Sequence, residues 1–204
     1  MNSGDWPRRV GDRGNCASAE LCRGSIDPEL RTIGDPELLN RPYLAMLTSR
    51  KPPPDLLLPT FDLFRRLREE RIPVAGGFHG PLERSCLRLL LRGRQPVLIC
   101  PARTLKRFRV PLGWTDAVRA RRLLIVSELP DRWTRPSSRS AELRNDTLTR
   151  LASRIFVVSA NPGSRTFERA LRVMDAGKPV LCFDHPANRE LLIAGARSVE
   201  PRRR

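Results

Sequence analysis

The sequence predicts an α/β fold, with a mostly parallel sheet and helices on both of its faces. Three observations lead there. Short, continuously apolar runs recur along the chain, stretches of helical periodicity separate most of them, and glycine or proline marks the junctions. Continuously apolar strands are those buried on both faces, and their alternation with helices calls for crossover connections. Right-handed crossovers then bring the carboxyl ends of the strands to one edge, where ligands of such folds bind.

Each element has its own justification. Residues 43–49, from Tyr43 to Ser49, read as a first strand, which Lys51 and the prolines Pro52, Pro53 and Pro54 end. Residues 60–71 read as a helix with Phe61, Leu63, Phe64 and Leu67 on its apolar stripe. Residues 72–75 are a second strand, ending at Gly76 and Gly77. The next helix, 81–91, has Pro81 at its first position and Gly93 just past its end. Residues 97–100 and 123–127 are the third and fourth strands. A helix over 141–152 leads to a fifth strand, 155–159. A helix over 166–175, stopped at Gly177, leads to a sixth strand, 180–183. A short helix over 188–194 and a last strand at 198–199 close the domain. Residues 1–35, rich in Gly, Asp, Arg and Ser without periodicity, are expected to be a disordered tail. Residues 36–200 form the expected domain, and 201–204 a basic tail.

Composition narrows the function. The chain has 204 residues, enough for one domain with tails or two very small domains, and 40% are hydrophobic, enough for a core. No apolar run approaches the ~18 residues of a membrane span. No charged-then-apolar N-terminus is present, so a cytoplasmic protein is expected. The five cysteines, Cys16, Cys22, Cys86, Cys100 and Cys182, are odd in number and form no CxxC pair. They read as reduced thiols rather than as a disulfide framework or a zinc site.

The chain carries 38 Lys and Arg against 22 Asp and Glu, a net charge of +16, and only Lys51, Lys106 and Lys178 are lysines. The first 35 residues contribute a net −1, so the excess belongs to the globular part. From Arg84 to Thr115 there is no acid, while Arg84, Arg88, Arg92, Arg94, Arg103, Lys106, Arg107 and Arg109 fall within that stretch. A one-sided field of this kind attracts polyanions. The bland alternative is an arginine-rich composition whose charges merely solvate helix faces. With 5% aromatic residues, no broad base-stacking platform is expected; Phe78 and Tyr43 are the exceptions, and Phe78 reads equally as packing.

The loops after the strands hold the candidate site. After the second strand come Gly76, Gly77, Phe78, His79, Gly80 and Pro81, opening a helix whose free N–H groups favour a phosphate. After the fifth come Asn161, Pro162, Gly163, Ser164, Arg165 and Thr166, again opening a helix; Ser164 reads equally as a cap and as a phosphate contact. Ser49 and Arg50 follow the first strand and Arg103 the third. His79 and His185, the only histidines, have no Cys, Asp or Glu at ligand spacing, so no metal is expected, nor any cofactor.

These residues carry a resemblance. The run from Gly76 through Glu83, then Gly93 through Arg103, then Arg144 with Asn145, Ile155 to Ser159, Pro162 to Thr166, Gly177 to Val180 and Leu192 to Ala196 resembles the DprA/Smf family of DNA-processing proteins, in its short single-domain branch. The resemblance covers roughly residues 38–200. It implies a Rossmann-like three-layer sandwich that binds single-stranded DNA along a basic face, in DNA recombination or uptake (natural transformation). It also implies a RecA-type recombinase as partner and a homodimer. On that likeness Arg144 and Asn145 match the family's arginine–asparagine motif. The nucleic-acid or phosphate contacts are then Ser49, Arg50, Gly76, Gly77, Phe78, His79, Arg103, Arg144, Asn145, Gly163, Ser164 and Thr166. Phe78, His79 and Gly80 replace the family's usual Gly-Ile-Asp, and its flanking helical and winged-helix modules have no room here.

An alternative comes from the phosphoribohydrolases of the same superfamily, which would make the protein a nucleotide-binding sensor or pocket protein. Residues 162–168 imitate their glycine motif but lack two glycines and place Glu168 one position early. That slip rotates a helical side chain by about 100°. No catalytic residue is assigned.

Overall fold

The computed structural model describes residues 30–199. The expected basic tail at 201–204 and most of the expected N-terminal tail, including Cys16 and Cys22, lie outside the described residues. Eight strands form one sheet in the order β1-β5-β4-β3-β2-β6-β7-β8. They are β1 (Arg31–Ile33), β2 (Leu44–Leu47), β3 (Val74–Gly76), β4 (Val97–Ile99), β5 (Leu123–Ser127), β6 (Arg154–Val157), β7 (Val180–Cys182) and β8 (Arg197–Ser198). All neighbours pair in parallel except β1, which runs antiparallel to β5.

Six helices cover the sheet: α1 (Leu57–Glu69), α2 (Pro81–Leu91), α3 (Leu112–Arg119), α4 (Ser138–Leu151), α5 (Arg165–Asp175) and α6 (Arg189–Ile193). Leu63, Phe64 and Leu67 of α1, Leu82, Cys86, Leu87 and Leu90 of α2 and Ala117 of α3 pack on one face. Leu148 of α4, Ala170 and Val173 of α5 and Leu191 of α6 pack on the other. The central strands alternate between the two cores: Leu44 and Met46 point to the first, Ala45 and Leu47 to the second. This is the three-layer α/β sandwich that the alternation of strands and helices predicts. None of the helices among the described residues is long and apolar enough to cross a membrane.

Two elements depart from the sequence expectation. β1 lies inside the stretch read as a tail. Its three residues have no alternation to betray them, and only their pairing with Ile125, Val126 and Ser127 makes them a strand. α3 occupies a stretch to which the sequence assigned nothing. Leu112 at its start is 93% exposed, Ala117 is its one buried residue, and Trp114 and Val118 pack on the core only partly buried, so its apolar stripe is one turn long.

Chain order makes the switch point. From β2 the chain steps outward through β3, β4 and β5, then returns to pair β6 beside β2 and continues outward through β7 and β8. The connections after β2 and β6 therefore diverge to opposite faces, α1 on one and α5 on the other. A crevice at the carboxyl ends of two such strands is the expected binding site of an open α/β sheet.

Candidate functional site

The crevice floor is made where β2 and β6 end. Ser49 Oγ lies 2.7 Å from Ser159 Oγ, and the Ser49 N–H donates to the Ser159 carbonyl at 3.1 Å. Thr48 Oγ1 is sealed from solvent without a hydrogen-bond partner among the described residues. Arg50, next along, is exposed. Asn188, fully buried, locks the far wall: its Oδ1 accepts from Ala160 N, and its Nδ2 donates to the Val158 and Phe183 carbonyls. His185 Nε2 meets Asp55 Oδ2 at 2.9 Å and so ties the loop after β7 to the one after β2.

The loop after β3 forms the near wall. Phe78 adopts a left-handed φ of 48°, a strained conformation for an aromatic residue. Its ring covers Gly76, where a β-carbon would come within 2.8 Å of Phe78 Cζ. Phe78 is 5% exposed and belongs to the core; of its two readings, the structure gives packing, not a platform for bases. Glu83 Oε2 accepts from the His79 and Gly80 N–H groups at 2.8 and 3.1 Å, which fixes the start of α2. Burial alone would raise the Glu83 carboxyl. The His79 side chain, the Gly80 N–H and the Arg144 charge outweigh it and hold the group below the usual value.

Arg144 reaches this loop from the opposite face of the sheet. It is 4% exposed, and its Nη1 lies 3.1 Å from His79 Nδ1. The same Nδ1 lies 3.0 Å from Glu83 Oε2. One ring nitrogen either donates or accepts, so it serves one of these partners at a time. A proton on Nδ1 faces the Glu83 carboxylate and leaves the Arg144 Nη1 hydrogens uncommitted. Burial lowers the Arg144 pKa from the ordinary arginine value, opposed chiefly by the Glu83 charge; an arginine stays charged at neutral pH regardless. A nearly buried guanidinium with few committed donors, beside a glycine loop, has the donor chemistry that oxyanions require.

The remaining sequence candidates divide. Ser164 is the N-cap of α5 and accepts from Phe167 N at 3.2 Å, so its hydroxyl is engaged in capping. Gly163 before it has a φ of 73°, and Thr166 is half-buried in the first turn of α5. Asn145 is half-buried beside Arg144 and its side chain makes no hydrogen bond among the described residues. Arg103 has its guanidinium 5.7 Å from the Phe108 ring centre, and its carbonyl accepts from Ser127 Oγ. It is thus held by the β4–α3 loop. Glu83, Ser159 and Asn188 were not singled out by the sequence. A Glu three residues into a helix opened by Gly and Pro is a capping signal, and it alone pointed to Glu83.

The architecture defines a Rossmann-like α/β protein whose switch point, at the ends of β2 and β6, has Arg50 and Arg144 on the loops and helix around it. More narrowly, the chain has a DprA-like fold. It is similar to DNA processing protein A from Helicobacter pylori, with a TM-score of 0.67 and 22% identity over 83% of this chain and 80% of that one. It is similar also to DNA processing protein A from Streptococcus pneumoniae, with a TM-score of 0.68 and 19% identity. That match covers 83% of this chain but 62% of the S. pneumoniae protein, so this chain spans less than two thirds of it. The molybdenum cofactor carrier protein of Chlamydomonas reinhardtii follows at a TM-score of 0.54 and 9% identity, over 79% of this chain and 91% of that one. No protein-family model matches the sequence, and no curated protein does.

Proposed function

We propose that this protein binds single-stranded DNA in the crevice between the loops after β2, β3 and β6, and acts in DNA recombination or uptake. The observation that carries this reading is the placement of the Arg144 guanidinium against the Gly77 loop, at the switch point of a strongly basic domain. Phosphates would sit on Arg144, Arg50 and the open glycine loop, with little base readout, because the ring of Phe78 is committed to the core. The H. pylori neighbour, which shares the fold, binds single-stranded DNA. Delivery of the strand to a RecA-type recombinase, and self-association, are part of the same proposal.

The test is a fluorescence-anisotropy titration with a labelled oligonucleotide at two salt concentrations, with and without excess mononucleotide. Affinity is expected to fall steeply with salt, and Arg50→Ala and Arg144→Gln should each weaken it. Salt-insensitive binding would remove the proposal. Displacement by low micromolar mononucleotide would replace it with a nucleotide-pocket protein, the reading closer to the molybdenum cofactor carriers that share this fold.

A further inference from the structure

Outside the crevice, α2 carries a row of arginines that no ion pair among the described residues uses. Arg84, Arg88 and Arg92 are all exposed. None of the three has a carboxylate partner among the described residues; Arg88 donates only to Ser85 Oγ, at 2.9 Å. Their four-residue spacing puts them on one side of the helix, each about 6 Å further along the axis. Arg84 stands one turn beyond Gly80, at the crevice rim. Arg92 stands at the other end, because α2 runs back against the strands it connects.

Among the described residues, no ion pair neutralises the row. The only acid of α2 is Glu83, which is buried and turned toward His79 and Gly80. On α1, the helix that packs beside it, Asp62, Glu70 and Glu69 lie against Arg65, Arg66 and Arg68 of their own helix. Like charges at four-residue spacing destabilise a helix, and a bound polyanion relieves that cost.

We propose that the exposed face of α2 is a track for the sugar–phosphate backbone of a single strand leaving the crevice, with successive phosphates on Arg84, Arg88 and Arg92. The proposal rests on the strand-binding reading above and extends the interface from the rim along the length of one helix. The contacts are to phosphate alone, so the track is indifferent to base sequence.

Thymidine oligomers of ~5 and ~20 nucleotides, near the short end of and beyond the ~4–16 nucleotides that one OB fold covers, provide the test. Wild-type protein is compared with the triple variant Arg84→Gln, Arg88→Gln, Arg92→Gln. Glutamine is a good helix former, and an unchanged circular dichroism spectrum and melting curve verify the fold. In the variant, the affinity advantage of the long oligomer over the short one should largely vanish. The slope of log affinity against log salt for the long oligomer should shrink by ~2, from three contacts at ~0.7 each. A long oligomer that keeps its wild-type slope in the variant, while Arg144→Gln still weakens binding, would overturn the track alone. Wild-type protein that binds neither oligomer would overturn the crevice reading and the track together.

Discussion

The Arg144 guanidinium occupies the space that a β-carbon on Gly77 would fill. The contact joins α4, on one face of the sheet, to the loop after β3 that opens α2 on the other. Arg144 can only settle beside His79 because Gly77 is bare. The Gly77→Ala variant must therefore expel Arg144 or open the loop. We expect at least a tenfold loss of oligonucleotide affinity, with a stability loss of about 1–3 kcal/mol. Anisotropy titration and urea denaturation measure the two; wild-type affinity in a folded Gly77→Ala protein would show that Arg144 does not need that position.

Glu83 gives the loop a pH dependence. Its carboxyl is held below the usual value of 4.5 despite burial, by the His79 side chain, the Gly80 N–H and Arg144. A depressed carboxylate contributes stability above its unfolded value, and the contribution fades as pH falls through the lower folded value. The stability gap between wild type and Glu83→Gln should be widest at neutral pH and close as pH drops below about 4.5. Denaturant titrations across that range measure it; a gap that stays constant with pH would mean that Glu83 acts only through its shape.

Asn188 holds the ends of β6 and β7 with three hydrogen bonds from a fully buried carboxamide. Asn188→Ala should cost about 2–4 kcal/mol, since it strands buried backbone groups. Asn188→Asp should cost at least as much, because a carboxylate would face the Val158 and Phe183 carbonyls. Chemical denaturation of both variants decides; an aspartate variant as stable as wild type would show that the donated bonds contribute nothing.

Lys178 closes the other end of the molecule. Its Nζ donates to the Thr149, Arg150 and Ala152 carbonyls at 2.8, 2.8 and 2.9 Å, where the last turn of α4 leaves acceptors unpaired. A cation at a helix C-terminus with charge-assisted bonds contributes about 1–3 kcal/mol. Lys178→Met should lose that much in urea denaturation while leaving oligonucleotide binding intact.

The three described cysteines should be silent to thiol reagents. Burial pushes the Cys86 and Cys100 thiols up to about 12 and Cys182 to about 11. In a Cys16→Ser, Cys22→Ser protein, we expect no labelling at pH 8 in native buffer and three labels in denaturant. Native-state labelling would mean that the core opens more readily than its packing implies.

Much of this molecule was legible in its residues. Prolines at 52, 53, 54 and 81 and glycines at 93 and 177 bracket the elements where sterics demand. Two elements were hidden, because β1 depends on hydrogen bonds to β5 and α3 on a one-turn stripe of Trp114, Ala117 and Val118. The site was half legible. The candidate loops after β2, β3 and β6 came from strand ends and glycines, and Ser164, read equally as a cap and as a phosphate contact, caps α5. The lock at Asn188 was not: its partners, Val158, Ala160 and Phe183, belong to other elements and leave no periodic mark.

The sequence by itself determined the alternation of strand and helix and the excess of positive charge. Continuous apolar runs can be satisfied only by a sheet covered on both faces, and charge is carried by the residues whatever the fold. Only the tertiary structure decided which strands became neighbours. The return of β6 to the side of β2 opened the crevice, and the packing of α4 brought Arg144 to His79, 65 positions away in the chain. Strand order is set by how whole layers pack, and no local pattern along the chain records it.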